Sequence, residues 1–128
     1  MDASFKQHGA FSWCELMTTN VDAAKTFYSA LFGWETEDMS MPEMVYTVVK
    51  AGGEEVGGIM AMPPQAQGVP PAWGTYVTVD DVDETSKMAE KLGGKVLLAP
   101  QDIPEVGRFC LIQDPQGAMI NIITYLGR

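Results

Sequence analysis

Side chains able to do chemistry are few in this chain and thinly spread. His8 is the one histidine, so a site built on two imidazoles cannot form within one chain, and its place ahead of the first strand-like run marks it as solvent-facing. Cys14 and Cys110 stand in apolar runs with no CxxC or other metal-ligand spacing. With no basic neighbour in sequence to favour a thiolate, they read as packing residues rather than nucleophiles. Glu15 is different. It interrupts the apolar run FSWCELMT, and an unpaired carboxylate is costly in a core, whereas in a pocket it binds a cation or acts as a general base. A salt bridge at a rim is the plainer alternative. Arg108, in Gly107-Arg108-Phe109, has the planar fork that grips an anionic group through two hydrogen bonds. A surface ion pair is the simpler reading for it.

The elements that must position these groups follow from periodicity and punctuation. Phe11 to Thr18 reads as a strand. Asn20 then offers a capping oxygen, Val21, Ala24, Phe27, Tyr28 and Leu31 recur at helical spacing, and Gly33 supplies the stop. Residues 34–39, 44–49 and 56–62 read as three further strands. From Pro63 the sequence PPQAQGVPP disfavours regular structure, because proline cannot donate to a ladder. The pattern then restarts with a strand from Gly74 to Val79, a helix capped by Asp81 and ended by Gly93-Gly94, and three strands near 95–98, 108–112 and 118–125. The helices match without gaps at an offset of 61 residues, pairing Asn20 with Asp81, Val21 with Val82, Phe27 with Met88, Leu31 with Leu92 and Gly33 with Gly94. The expectation is one domain over 1–128, with module one at about 11–62, a Pro-rich linker at 63–73 and module two at about 74–126.

Composition removes several classes of function. The 128 residues are 46% hydrophobic and 20% charged, which suits a soluble globular domain. A net charge of −9 argues against nucleic acid, which demands clustered Lys and Arg. No apolar run approaches the roughly 18 residues that span a bilayer, and the N-terminus lacks the apolar stretch of a signal peptide. A cytoplasmic protein with neither a membrane nor a nucleic-acid partner is expected. The acidity favours cationic ligands through the summed surface field, or simply keeps the chain soluble.

The segments Phe27-Tyr28-Ser29-Ala30-Leu31-Phe32-Gly33-Trp34, Val79-Asp80-Asp81-Val82-Asp83 and Asp114-Pro115-Gln116-Gly117 resemble those of the vicinal oxygen chelate superfamily, the fold of glyoxalases, bleomycin-resistance proteins and ring-cleaving dioxygenases. The resemblance covers nearly the whole chain. It implies an α+β fold in which two tandem βαβββ modules form a curved mixed sheet around a cup, with helices on the outer face and a homodimer as the usual assembly. Active members of the family hold a divalent metal in the cup through His, Gln or Glu. Here the corresponding positions fall on Trp13, Gly74 and Asn121, with the fourth in VGGIMAM at 56–62, and these offer no ligand set. No metal and no other cofactor is therefore expected.

Strand alternation phased on the family's ligand positions turns Phe11, Trp13, Glu15 and Met17 toward the cup, and Ser12, Cys14 and Leu16 toward the helix. The same phase selects Gly74, Tyr76 and Thr78, then Met119, Asn121 and Ile123. The expected ligand-binding set is Trp13, Glu15, Met17, Met60, Tyr76, Thr78, Phe109 and Asn121, an aromatic and thioether lining with scattered polar groups. Packed core filling a lost metal site is the alternative for Trp13, Met17, Tyr76 and Met119. Glu15 is the candidate catalytic residue. Three functions follow: a metal-free protein that sequesters a small, largely apolar or cationic molecule; a glyoxalase-related lyase, isomerase or dioxygenase using Glu15 with Tyr76 or Asn121; or a pseudoenzyme with a filled cup.

Overall fold

The computed structural model describes residues 6–41, 44–62, 69–103 and 106–127, with side chains at 41 and 44 excepted. Its elements are β1 (Phe11–Thr18), α1 (Val21–Phe32), β2 (Glu35–Met41), β3 (Met44–Ala51), β4 (Glu54–Ala61), β5 (Ala72–Thr78), α2 (Val82–Lys91), β6 (Lys95–Ile103), β7 (Gly107–Gln113) and β8 (Met119–Tyr125). Eight strands and two helices among the described residues make this an α+β protein, as the resemblance implies. The Pro63–Gly68 part of the expected linker lies outside the described residues, and β5 opens at Ala72, two positions ahead of the strand expected from Gly74. None of the helices described is long and apolar enough to cross a membrane.

The chain divides into two compact units, Trp13–Trp73 and Gly74–Arg128 with Asp2–Ser12. In the first, the strands run in the order β2-β3-β4-β1. β1 and β4 are parallel with Glu15 opposite Gly58 and Met17 opposite Met60, while β2, β3 and β4 are antiparallel neighbours. Helix α1 starts where the Asn20 side chain accepts the Ala23 N–H at 2.9 Å, and ends at Gly33, whose φ of 71° is open to a residue without Cβ. Leu16, Val49 and Ile59 form the core, with Val21, Ala24, Tyr28 and Trp34 packed on it. Phe27 and Leu31, read from their spacing as part of that apolar face, instead stand 59% and 58% exposed.

The second unit repeats the plan in the order β5-β8-β7-β6. β5 and β8 are parallel, with Tyr76 opposite Asn121 and Thr78 opposite Ile123. Asp81 caps α2 by accepting the Glu84 N–H at 3.1 Å. Val79, Val82, Cys110 and Ile122 form the core under α2, joined by Val96 and Ile112. The Asp114 side chain accepts the Gln116 and Ala118 N–H groups at 2.9 and 3.0 Å, which fixes the turn read from Asp114-Pro115-Gln116-Gly117. β6 runs on to Ile103, past the expected end at Leu98 and through Pro100. It is the edge strand and its register slips on either side of Leu98, the setting in which a missing N–H is tolerated.

Candidate functional site

In each unit strand alternation separates a face packed on the helix from one turned away from it. In the first unit the pairings Glu15 with Gly58 and Val48 with Gly58 put Glu15, Gly58 and Val48 in one row of the helix-free face. Met17 and Met60 stand in the next row. Trp13, Met17 and Met60 are half-buried, and so is Tyr46 on β3. Glu15 is only 4% exposed.

What holds a carboxylate there is a hydrogen-bonded line across the sheet. The Trp13 indole Nε1–H donates to the Tyr46 hydroxyl at 2.8 Å, and the Tyr46 hydroxyl donates to Glu15 Oε2 at 2.6 Å. The indole proton meets the phenol oxygen and the phenol proton meets the carboxyl oxygen, the second bond being the shorter. Gly58 makes the line possible: a Cβ there would collide with the Tyr46 hydroxyl and ring, so the phenol lies in the space the missing side chain leaves. Tyr46 was not among the residues expected at the site. Its signal in the sequence is the Gly57-Gly58 pair inside a strand, which marks a close approach by something. Tyr76 and Asn121, expected to act with Glu15, belong to the second unit, and within the first unit Tyr46 supplies a hydroxyl to Glu15.

At the repeat offset of 61 residues, Glu15 corresponds to Tyr76, Trp13 to Gly74 and Met17 to Thr78. Strand pairing extends the match, setting Asn121 where the first unit has Gly58. Tyr76, Asn121 and Leu111 share a row of the helix-free face, with Thr78, Ile123 and Phe109 in the next. All six are buried. The Tyr76 and Phe109 rings meet tilted at 46° with centroids 6.2 Å apart. Asn121 Nδ2 donates to the Thr75 carbonyl at 3.4 Å, the orientation that turns the amide oxygen away from Thr75. Among the described residues that oxygen, Oδ1, is buried with no hydrogen-bond partner, a situation that costs about 1–3 kcal/mol.

The other chemical candidates resolve into structure. Arg108 donates through Nε and Nη2 to the two Asp83 oxygens at 2.9 and 3.1 Å, and through Nη1 to Asp102 at 2.9 Å. It ties α2 to β7 and lowers the Asp83 carboxyl below its usual range, the guanidinium hydrogen bond being the main cause. Asp38 is lowered likewise, first by the Thr47 hydroxyl and then by Lys25. His8 Nδ1 accepts the Asp80 N–H at 2.9 Å, which places its ring against the chain ahead of α2 in the second unit. Cys110 is buried in the core, where desolvation pushes its thiol up to about 11. Cys14, expected to pack under the helix, is exposed instead. Leu16 takes the core position beside it. Phe11 and Met119 are also exposed.

The positions that the resemblance aligns with metal ligands do not fit a divalent metal: Trp13 offers a donor rather than an acceptor, Gly74 no side chain, Asn121 a single neutral oxygen, and residues 56–62 at most a soft thioether. No three His, Cys, Asp or Glu side chains come together among the described residues.

A family model described as the Glyoxalase/Bleomycin resistance protein/Dioxygenase superfamily matches residues 10–122. "Putative glyoxylase CFP32" of Mycobacterium tuberculosis is 41% identical over 119 residues, covering 91% of this chain and 46% of its own. The "Anthracycline biosynthesis protein DnrV" of Streptomyces peucetius is 32% identical over 123 residues, covering 86% of this chain and 45% of its own. The chain thus spans about half the length of these relatives. Among solved structures, methylmalonyl-CoA epimerase from Mycobacterium tuberculosis superposes with a TM-score of 0.61 at 14% identity, over 96% of this chain and 91% of the other. The Streptomyces coelicolor epimerase gives 0.64 at 15% identity, over 94% and 100%. At such identity the likeness is one of fold. By the family match over most of its length, the chain belongs to the Glyoxalase/Bleomycin resistance protein/Dioxygenase superfamily.

Proposed function

We propose that this protein binds a small, largely apolar molecule carrying a positive charge, without a metal, and holds it unchanged in the manner of a sequestering protein. The observation that carries this is Glu15, a carboxylate 4% exposed on the same face as the half-buried Trp13, Tyr46, Met17 and Met60. Aromatic rings and thioethers supply contact for a flat apolar body, and the rings attract cations through their faces. The charge of −9 adds long-range attraction of the same sign. The name of DnrV, an anthracycline biosynthesis protein, suggests a first probe: an anthracycline joins a flat polycycle to a protonated amino sugar.

The native protein should quench the fluorescence of doxorubicin saturably, and bind its neutral aglycone on the order of ten-fold more weakly, the loss of one charge contact. Mass spectrometry of the recovered drug should show it unaltered. Equal affinity for drug and aglycone would remove Glu15 from the centre of the site. Conversion of the drug would favour proton-transfer chemistry by Glu15 and Tyr46 over sequestration.

A further inference from the structure

The buried oxygen of Asn121 belongs to neither the relay around Glu15 nor any bond among the described residues. We propose that Asn121 Oδ1 is the anchor for a neutral N–H or O–H donor on a small, flat, apolar ligand. This rests on the reading of the chain as a small-molecule binder, though not on Glu15. Three features argue for it. The Nδ2–H to Thr75 bond commits the donor end of the amide, so Asn121 presents an acceptor. Turning the amide over would set its oxygen against the Thr75 carbonyl oxygen and lose the bond that Nδ2 makes there.

The second feature is the surroundings. Tyr76 and Leu111 flank Asn121 along its row, and Thr78, Ile123 and Phe109 occupy the next. Gln101 pairs with Phe109 and Leu98 with Leu111 across β6. No carboxylate stands in these two rows, so a full positive charge would arrive without compensation and a neutral donor is the better match. The third is size. Asn121 stands among buried Tyr76, Leu111, Thr78, Ile123 and Phe109, so a ligand that reaches the oxygen has to be small and thin. The two rings meet at a tilt rather than in a stack.

Indole and benzothiophene make the test, since they share shape and apolar area and differ in one N–H. In calorimetric titrations of the native protein indole should bind about ten-fold more tightly, as expected for one added hydrogen bond to a waiting acceptor. Asn121→Leu, nearly isosteric, should erase the preference by weakening indole and leaving benzothiophene unchanged. Equal binding of the two by the native protein, or binding of neither, would overturn the proposal and leave a trapped water as the partner of Oδ1. The native comparison decides even where the variant does not fold. An indole preference without any binding of doxorubicin would sustain this site while refuting the cationic ligand, and the reverse result would do the opposite.

Discussion

Tyr46 reaches Glu15 because residue 58 carries no side chain, and that one absence organises the helix-free face of the first unit. Gly58→Ala should push the phenol aside, strain the strand and break the bond from Tyr46 to the buried carboxylate, costing about 2–4 kcal/mol. Urea denaturation measures this, and a stability within 0.5 kcal/mol of native, on the order of an ordinary surface change, would show that the phenol is not seated there. At this scale the sequence was partly legible. Glu15 stood out because a carboxylate in FSWCELMT needs a reason, but its partner is 31 positions away on another strand, and strand pairing cannot be read from the sequence of one strand. Asn121 was named for where the family places a ligand. That its oxygen lacks a partner depends on Thr75 taking the other end of the amide, which no pattern announces.

The elements were more legible than the contacts between them. Asn20, Asp81, Gly33 and the Asp114 turn each act through groups within four residues, and local signals of that kind survive folding. The sequence reading ends β6 at Leu98, whereas its edge position lets the strand continue through Pro100 to Ile103. Helix faces were misjudged for a related reason: periodicity gives a broad apolar stripe, and α1 uses only the side holding Val21, Ala24 and Tyr28. Leu16→Ala and Phe27→Ser separate the two kinds of apolar residue. The first should cost about 2–5 kcal/mol by opening a cavity in the core, the second less than about 0.5 kcal/mol, as at an ordinary surface position. Similar losses for both in thermal or urea unfolding would mean that Phe27 is covered in solution.

Across the whole molecule, duplication and acidity set the behaviour. Each unit repeats cap, core and parallel first-to-last strand pairing, yet places a charged group beside a glycine in one copy and a tyrosine beside an asparagine in the other. The acid limb of stability follows from the paired carboxylates. Asp83, held low by Arg108, and Asp38, held low by Thr47 and Lys25, titrate lower folded than unfolded. Their contribution is complete above the unfolded carboxylate range near pH 4 and is lost as pH falls through their lower folded values. The gap in urea midpoint between native protein and Asp83→Asn should therefore be constant from pH 8 to about 5 and close below pH 4. A gap that widened in acid would reverse the sign of this linkage. The claim on which the function turns is that the buried carboxylate of the first unit receives a cation. Calorimetric titration with doxorubicin tests it most directly: Glu15→Gln, which keeps shape and removes charge, should bind at least about ten-fold more weakly than native, and an unchanged affinity would contradict the account.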